Sequence, residues 1–228
     1  MKQILDYMPL DIVAHPEGFV IVTPDGKDDR GKLRISFQFY HLEKQVVQRV
    51  KKDFYCACKF GPAYKEIVPQ VQDYISCAVC ETPAEFTNLV FPTGEMGIFD
   101  VNGTLIWTGD LLYHDCALRS CAPDNTNIWC AVPDQNAIVR YSTKLQRVDF
   151  RIGGLDTSAL GRPMSVSRID NDLYVCCKTS QNIKKINLEN YTATDYKKFE
   201  EGVLRFLRIG DKEVVVLSSG IYLLENDT

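Results

Sequence analysis

Of the chain's 228 residues, 45% are hydrophobic and 25% charged, the balance of an ordinary globular protein and not of a disordered or membrane-spanning one. A formal charge of −4 argues against a surface built to cover phosphates, and no apolar run approaches the roughly 18 to 20 residues that cross a bilayer. The start, MKQILDYMPLDIVAHPEG, contains Asp6 and Asp11 and lacks the apolar run of a secretory signal, so a cytoplasmic location is expected.

In chain order, KQILDYM (residues 2–8) has the alternating character of an outer strand. PLDIVAHPEGFVIVTPDG, LRISFQFY and KQVVQRV then supply four strands over residues 9–50. DFYCACKFGPAYKEIVPQVQD, residues 53–73, is too short for another such set and too aromatic for a linker. It is expected to be an ordered insertion whose Phe54, Tyr55, Phe60 and Tyr64 pack on a neighbouring sheet, or else form a lid or docking surface. YISCAVC, TNLVFPTG, MGIFDVNG and TLIWTG give the next set, residues 74–110.

Two clearer copies follow. A strand from His114 to Cys121 and the turn PDNTN lead into NIWCAVPDQNAIVRYSTKLQRVDF, spanning residues 114–152. A strand from Arg162 to Ile169 and the turn DND lead into DLYVCCKTSQNIKKINLENYTATDYKKF, spanning residues 162–200. Trp129 falls over Tyr174, and the pair Gln135-Asn136 over Gln181-Asn182. Four strands in roughly 40 to 48 residues is the spacing of a propeller blade. VLRFLRI, EVVVLSS and GIYLLE, residues 203–226, supply only three. An unfinished sheet exposes an open edge, so residues 2–8 are expected to provide its fourth strand. The reading is all-β: a single β-propeller domain of about five four-stranded blades, closed by the N-terminal strand completing the last blade.

The aromatic-apolar strand, short polar turn and N-x-I-x-R-like strand, as in Asn136 to Tyr141, resemble the propeller repeats of the NHL and YVTN families. The resemblance implies a propeller without implying one activity, since such repeats serve as binding platforms, lactonases, lyases and glycosidases.

Ligands of propellers collect at one mouth of the central channel, so residues opening inner strands are the site candidates. They are Asp11, Asp73, His114 with Asp115, and Arg162, with Glu201 near the last blade. Carboxylates there could act as acid and base on a glycosidic bond, or simply cap backbone groups and meet water. His15, His41 and His114 show no H-x-H or H-x-x-x-H spacing, and His15 and His41 read as surface residues. Cys56-x-Cys58 with Cys77-x-x-Cys80 would supply four thiolates for zinc, but residues three apart on a strand face opposite ways. The same holds for adjacent Cys176 and Cys177. Packing between blades is the expected role of the nine cysteines, with no metal, disulfide or cofactor. No nucleophile elbow, phosphate loop or dinucleotide fingerprint occurs. Two functions fit. The leading one is a non-enzymatic scaffold that binds a protein or small ligand at one face or the channel mouth, with neither nucleic acid nor membrane as partner. The alternative is a hydrolase or lyase acting on a sugar or lactone through Asp11, Asp73, His114, Asp115 and Arg162.

Overall fold

In the computed structural model the described residues are 1–9, 11–27, 33–50, 78–81, 86–90, 95–100, 105–110, 112–124, 127–142, 145, 147–156 and 159–224. The expected insertion at 53–73, with Asp73, Cys56 and Cys58, lies outside them, as does Cys77. The chain divides into two compact units, one of Met1–Ser76 with Leu207–Thr228 and the other of Cys77–Phe206.

The first unit opens with β1 (Lys2–Leu5), followed by β2 (Asp11–His15), β3 (Gly18–Lys27), β4 (Leu33–His41) and β5 (Val46–Val50). Strands β2 to β5 form an antiparallel sheet in sequence order. In its core Ile12, Phe19, Val20, Ile21, Phe37 and Phe39 are all buried. Thr23 and Ser36, directly opposed across β3 and β4, satisfy each other through a 2.8 Å hydroxyl pair. His15 and His41 are half-buried and not free on the surface, because each packs edge-on against Phe39, at 5.1 and 4.4 Å between ring centres.

In the second unit β6 (Ala78–Glu81), β7 (Phe86–Val90), β8 (Glu95–Asp100) and β9 (Leu105–Asp110) form one four-stranded sheet. A two-stranded hairpin, β10 (Leu112–Tyr113) with β11 (Cys116–Ala117), comes next. Then β12 (Arg119–Asp124), β13 (Asn127–Val132), β14 (Ala137–Ser142) and β15 (Arg147–Gly153) form a second sheet in sequence order. A third follows in the same order, of β16 (Pro163–Ile169), β17 (Asp172–Cys177), β18 (Asn182–Asn187) and β19 (Ala193–Lys198). The last sheet has the order β1-β22-β21-β20, with β20 at Val203–Ile209, β21 at Lys212–Leu217 and β22 at Gly220–Leu224. The N-terminal strand therefore completes the final sheet, antiparallel to β22, with Gln3 opposite Tyr222.

Middle strands are buried on both faces and outer strands are not. From Asn127 to Val132, β13 is buried almost throughout, whereas β15 alternates exposed and half-buried residues. The cause is sheet-on-sheet packing within the unit. Trp129, Ala131 and Ile138 pack against Leu173, Val175, Cys177 and Ile186 of the next sheet. The opposite face of the β12–β15 sheet, with Ile128, Cys130, Val132, Val139 and Tyr141, packs with Leu118, Tyr113 and Cys116. Tyr174 repeats the role of Trp129 one sheet further on, its ring stacked on Phe206 at 5.3 Å.

Register corrects two expectations. Val132 pairs with Ala137 and Cys177 with Asn182, so the two turns have equal length and Asn136 corresponds to Gln181. Matching the Gln-Asn pairs to each other was one residue out, because what the turn conserves is a left-handed last residue, φ 49° at Asn136 and 54° at Gln181. Nor does His114 open an inner strand, since β12 begins at Arg119. His114 and Asp115, with φ of 49° and 59°, are the central pair of the β10–β11 hairpin, the left-handed geometry that matches strand twist in a two-residue turn.

Candidate functional site

Four segments of the second unit meet at the same end of its sheets: the β10–β11 hairpin, the β13–β14 turn, the β15–β16 loop and the β17–β18 turn. The pairings Arg119 with Ala131, Val132 with Ala137, Ala137 with Gly153, and Pro163 with Cys177 place them there. They are tied together by directed bonds. Gln135 donates Nε2–H to the Cys116 sulfur at 3.3 Å, joining the hairpin to the β13–β14 turn. Asn136 accepts twice from the following loop, through its carbonyl from Gly154 N–H (3.0 Å) and through Oδ1 from Arg162 N–H (2.9 Å). The loop is held from its other side by Lys178 N–H on Arg162 O and Thr179 N–H on Gly161 O, both 3.0 Å. Gly153, at φ 82°, admits no side chain here, since a Cβ would fall 2.7 Å from the Asn136 carbonyl oxygen.

On this pinned framework the exposed side chains are of mixed character. Leu112, on β10, is 47% and Leu155, on the β15–β16 loop, 65% exposed. The same end also carries exposed His114 and Asp115 and the loose pair of Arg162 with Asp134 at 3.9 Å. Five non-glycine residues at this end, His114, Asp115, Asn136, Arg162 and Gln181, have left-handed backbones. They are turn and loop residues, and their fixed backbones hold the ends of the short connections in place.

The sequence candidates distribute as follows. His114, Asp115 and Arg162 all belong to this end of the second unit, with the His114 ring tilted against that of Tyr113, 4.2 Å between centres. Arg162 lies one residue before β16. Asp11 opens β2 in the first unit, opposite Val22, Asp73 lies outside the described residues, and Glu201 is half-buried between β19 and β20. Among the described residues no three His, Cys, Asp or Glu side chains gather as a metal site requires.

Sequence reasoning missed a polar network on the inner strands. Ser120, at φ 45°, sits on a bulge of β12 between Arg119 and Cys121. Its Oγ accepts the Val166 N–H of β16 at 3.1 Å and an N–H of the Arg205 Nη1 of β20 at 2.6 Å. A serine facing Arg205 has no sequence signature, because small polar residues on an inner strand read as ordinary surface. Ser165, on β16 opposite Cys176, is buried, as is Cys176. Burial pushes the Cys176 thiol up to about 12, against smaller opposing effects of the Ser165 hydroxyl and the Arg205 charge. At neutral pH this sulfur is an uncharged packing group.

No family model matches the chain, and no curated protein does. Solved structures do. Sqt1 of Saccharomyces cerevisiae superposes over 96% of this chain and 72% of its own, with a TM-score of 0.54 at 11% identity. U3-55K superposes over 98% of this chain with a TM-score of 0.54 at 7% identity. This chain spans 63% of U3-55K. Both are WD40-like propeller structures. The fold is propeller-like. Identities this low carry the architecture and nothing about ligands.

Proposed function

We propose that the chain is one five-bladed propeller with blades of NHL and YVTN type, closed by β1, that works in the cytoplasm as a non-enzymatic scaffold. Its partner is a protein, bound at the loop end of the second unit. The observation that carries this is the pair of exposed leucines, Leu112 on the hairpin tied down by the Gln135–Cys116 bond and Leu155 on the loop fixed by the Asn136 bonds that also bears Arg162. Apolar anchors on a rigid surface, with an arginine and mixed charge around them, are the pattern of a protein contact, where little side-chain ordering remains to be done on binding.

A photo-crosslinking residue at position 155 tests it, with position 145 as control. Leu145 is also 53% exposed but follows Ser142, at the opposite end of the same sheet. The expected result is a protein adduct from position 155 that is absent from position 145 and disappears in Leu112→Asp/Arg162→Glu, whose melting temperature is unchanged. Equal adducts at both positions, or an adduct indifferent to that double substitution, would refute the assignment.

A further inference from the structure

Strand β1 is the outermost strand of its sheet, laddered to β22, with a further bond from Lys2 Nζ to the Gln45 side-chain oxygen at 2.5 Å. Its apolar hold is slight. Lys2 and Gln3 are exposed, Ile4 and Leu5 only half-buried, and the register is broken between Gln3 and Leu5. What secures it is polar and backbone contact. Gln3 Nε2–H donates to the Tyr222 hydroxyl at 3.1 Å, and that hydroxyl pairs with Ser219 Oγ at 2.7 Å. The Leu5 carbonyl lies so close to Gly220 that a Cβ there would fall 2.1 Å from its oxygen. Five residues join β1 to β2. Among them Pro9 is buried, Met8 is 56% exposed, and Tyr7 is fixed through its hydroxyl to Gln38 at 3.1 Å.

We infer that β1 exchanges between two copies of this chain, each copy's β1 pairing with β22 of the other. Every partner that β1 uses on the last sheet is present in a second copy, so exchange conserves the ladder, the Gln3–Tyr222 bond and the Gly220 seat. Release gives up little apolar burial on β1 itself, since only two of its four residues are even half-buried. The vacated β22, with Ile221 fully buried, presents an open edge that needs a strand. The linker is short and carries a proline with fixed φ, the kind of hinge in which strand exchange relieves strain. In dilute solution the closed chain wins, because its own β1 is present at an effective concentration of the order of millimolar.

The test uses the unaltered protein. Isotope-labelled and unlabelled chains are unfolded together, refolded at high and at low protein concentration, and examined by native mass spectrometry. Dimers containing one chain of each kind are expected after refolding at high concentration only, and these should not re-sort on dilution without unfolding. In Gln3→Cys/Tyr222→Cys, mild oxidation should then link position 3 to position 222 between chains in the dimer and within the chain in the monomer, as read from the linked peptides. Inserting a flexible Gly-Ser segment between Met8 and Pro9 should return the protein to monomer. Monomer alone at every concentration, or dimers whose 3–222 links are all within one chain, would overturn the inference.

Discussion

Trp129 joins two kinds of interaction at one position. Its ring is fully buried against the next sheet, while its indole N–H reaches Asp124 at 2.9 Å, the carboxylate that also pairs with Arg168 at 3.2 Å. Trp129→Ala is expected to cost about 3–5 kcal/mol through the cavity it leaves. Trp129→Phe keeps most of the ring but removes the donor, and should cost about 1–2 kcal/mol, both read from urea unfolding. Cys176 makes a prediction of a different sort. Its thiol titrates at about 12 when folded, against an ordinary value of 9.0. Between these values the unfolded chain loses a proton that the folded chain keeps, so stability is full below pH 9.0 and declines as pH rises toward about 12. Unfolding midpoints across that range should fall more steeply in the natural protein than in Cys176→Ala. The equivalence of Trp129 and Tyr174 was legible because a large aromatic in the middle of an apolar run leaves a mark on sequence. Ser120 and Arg205 left none, since their meeting depends on three inner strands that lie 85 residues apart at the extremes.

Among elements, the short turns carry more of the repeat than the strands around them. HLEKQV, from His41, and NLENYT, from Asn187, close with the same geometry. Gln45 N–H bonds to His41 O and Tyr191 N–H to Asn187 O, each at 2.8 Å, and both Gln45 and Tyr191 are left-handed. Leucine amides complete the match, Leu42 on Glu17 O and Leu188 on Asn171 O. This second repeat hid because outer strands such as β5 and β19 are exposed and vary freely in polar residues, so alignment by strand character passes over it. The propeller-like strand order, by contrast, was readable from β12 to β22, where alternation and turn signals agree. The loop end bearing Leu112, Leu155 and Arg162 was read only in part: His114, Asp115 and Arg162 stood out as polar residues before strands, but an exposed leucine is indistinguishable in sequence from a buried one. At this scale Gly220 is the sharpest test. With φ at 150° and the Leu5 carbonyl against it, Gly220→Ala should cost about 1–3 kcal/mol, and amide exchange should quicken first at Ile4 and Leu5.

For the molecule as a whole, the pairing of β1 with β22 links Gln3 to Tyr222, 219 positions apart. Deleting Met1–Asp6 is expected to lower the unfolding midpoint and to promote aggregation, since it bares the edge of β22 over buried Ile221. A deletion with unchanged melting and solubility would show that this strand does not stabilise the sheet. The same pairing also sets a clock. At ribosomal rates of some 5–20 residues per second, β1 emerges roughly 11–44 s before its partner exists. Throughout that interval the nascent chain carries a strand with nothing to pair with, and the sheets between can fold only as separate pieces awaiting the last ladder. Lys2 and Gln3, exposed in the finished protein, keep the waiting segment polar at its tip. Synthesis of β22, and not the folding of any earlier sheet, is then the event that lets β1 pair.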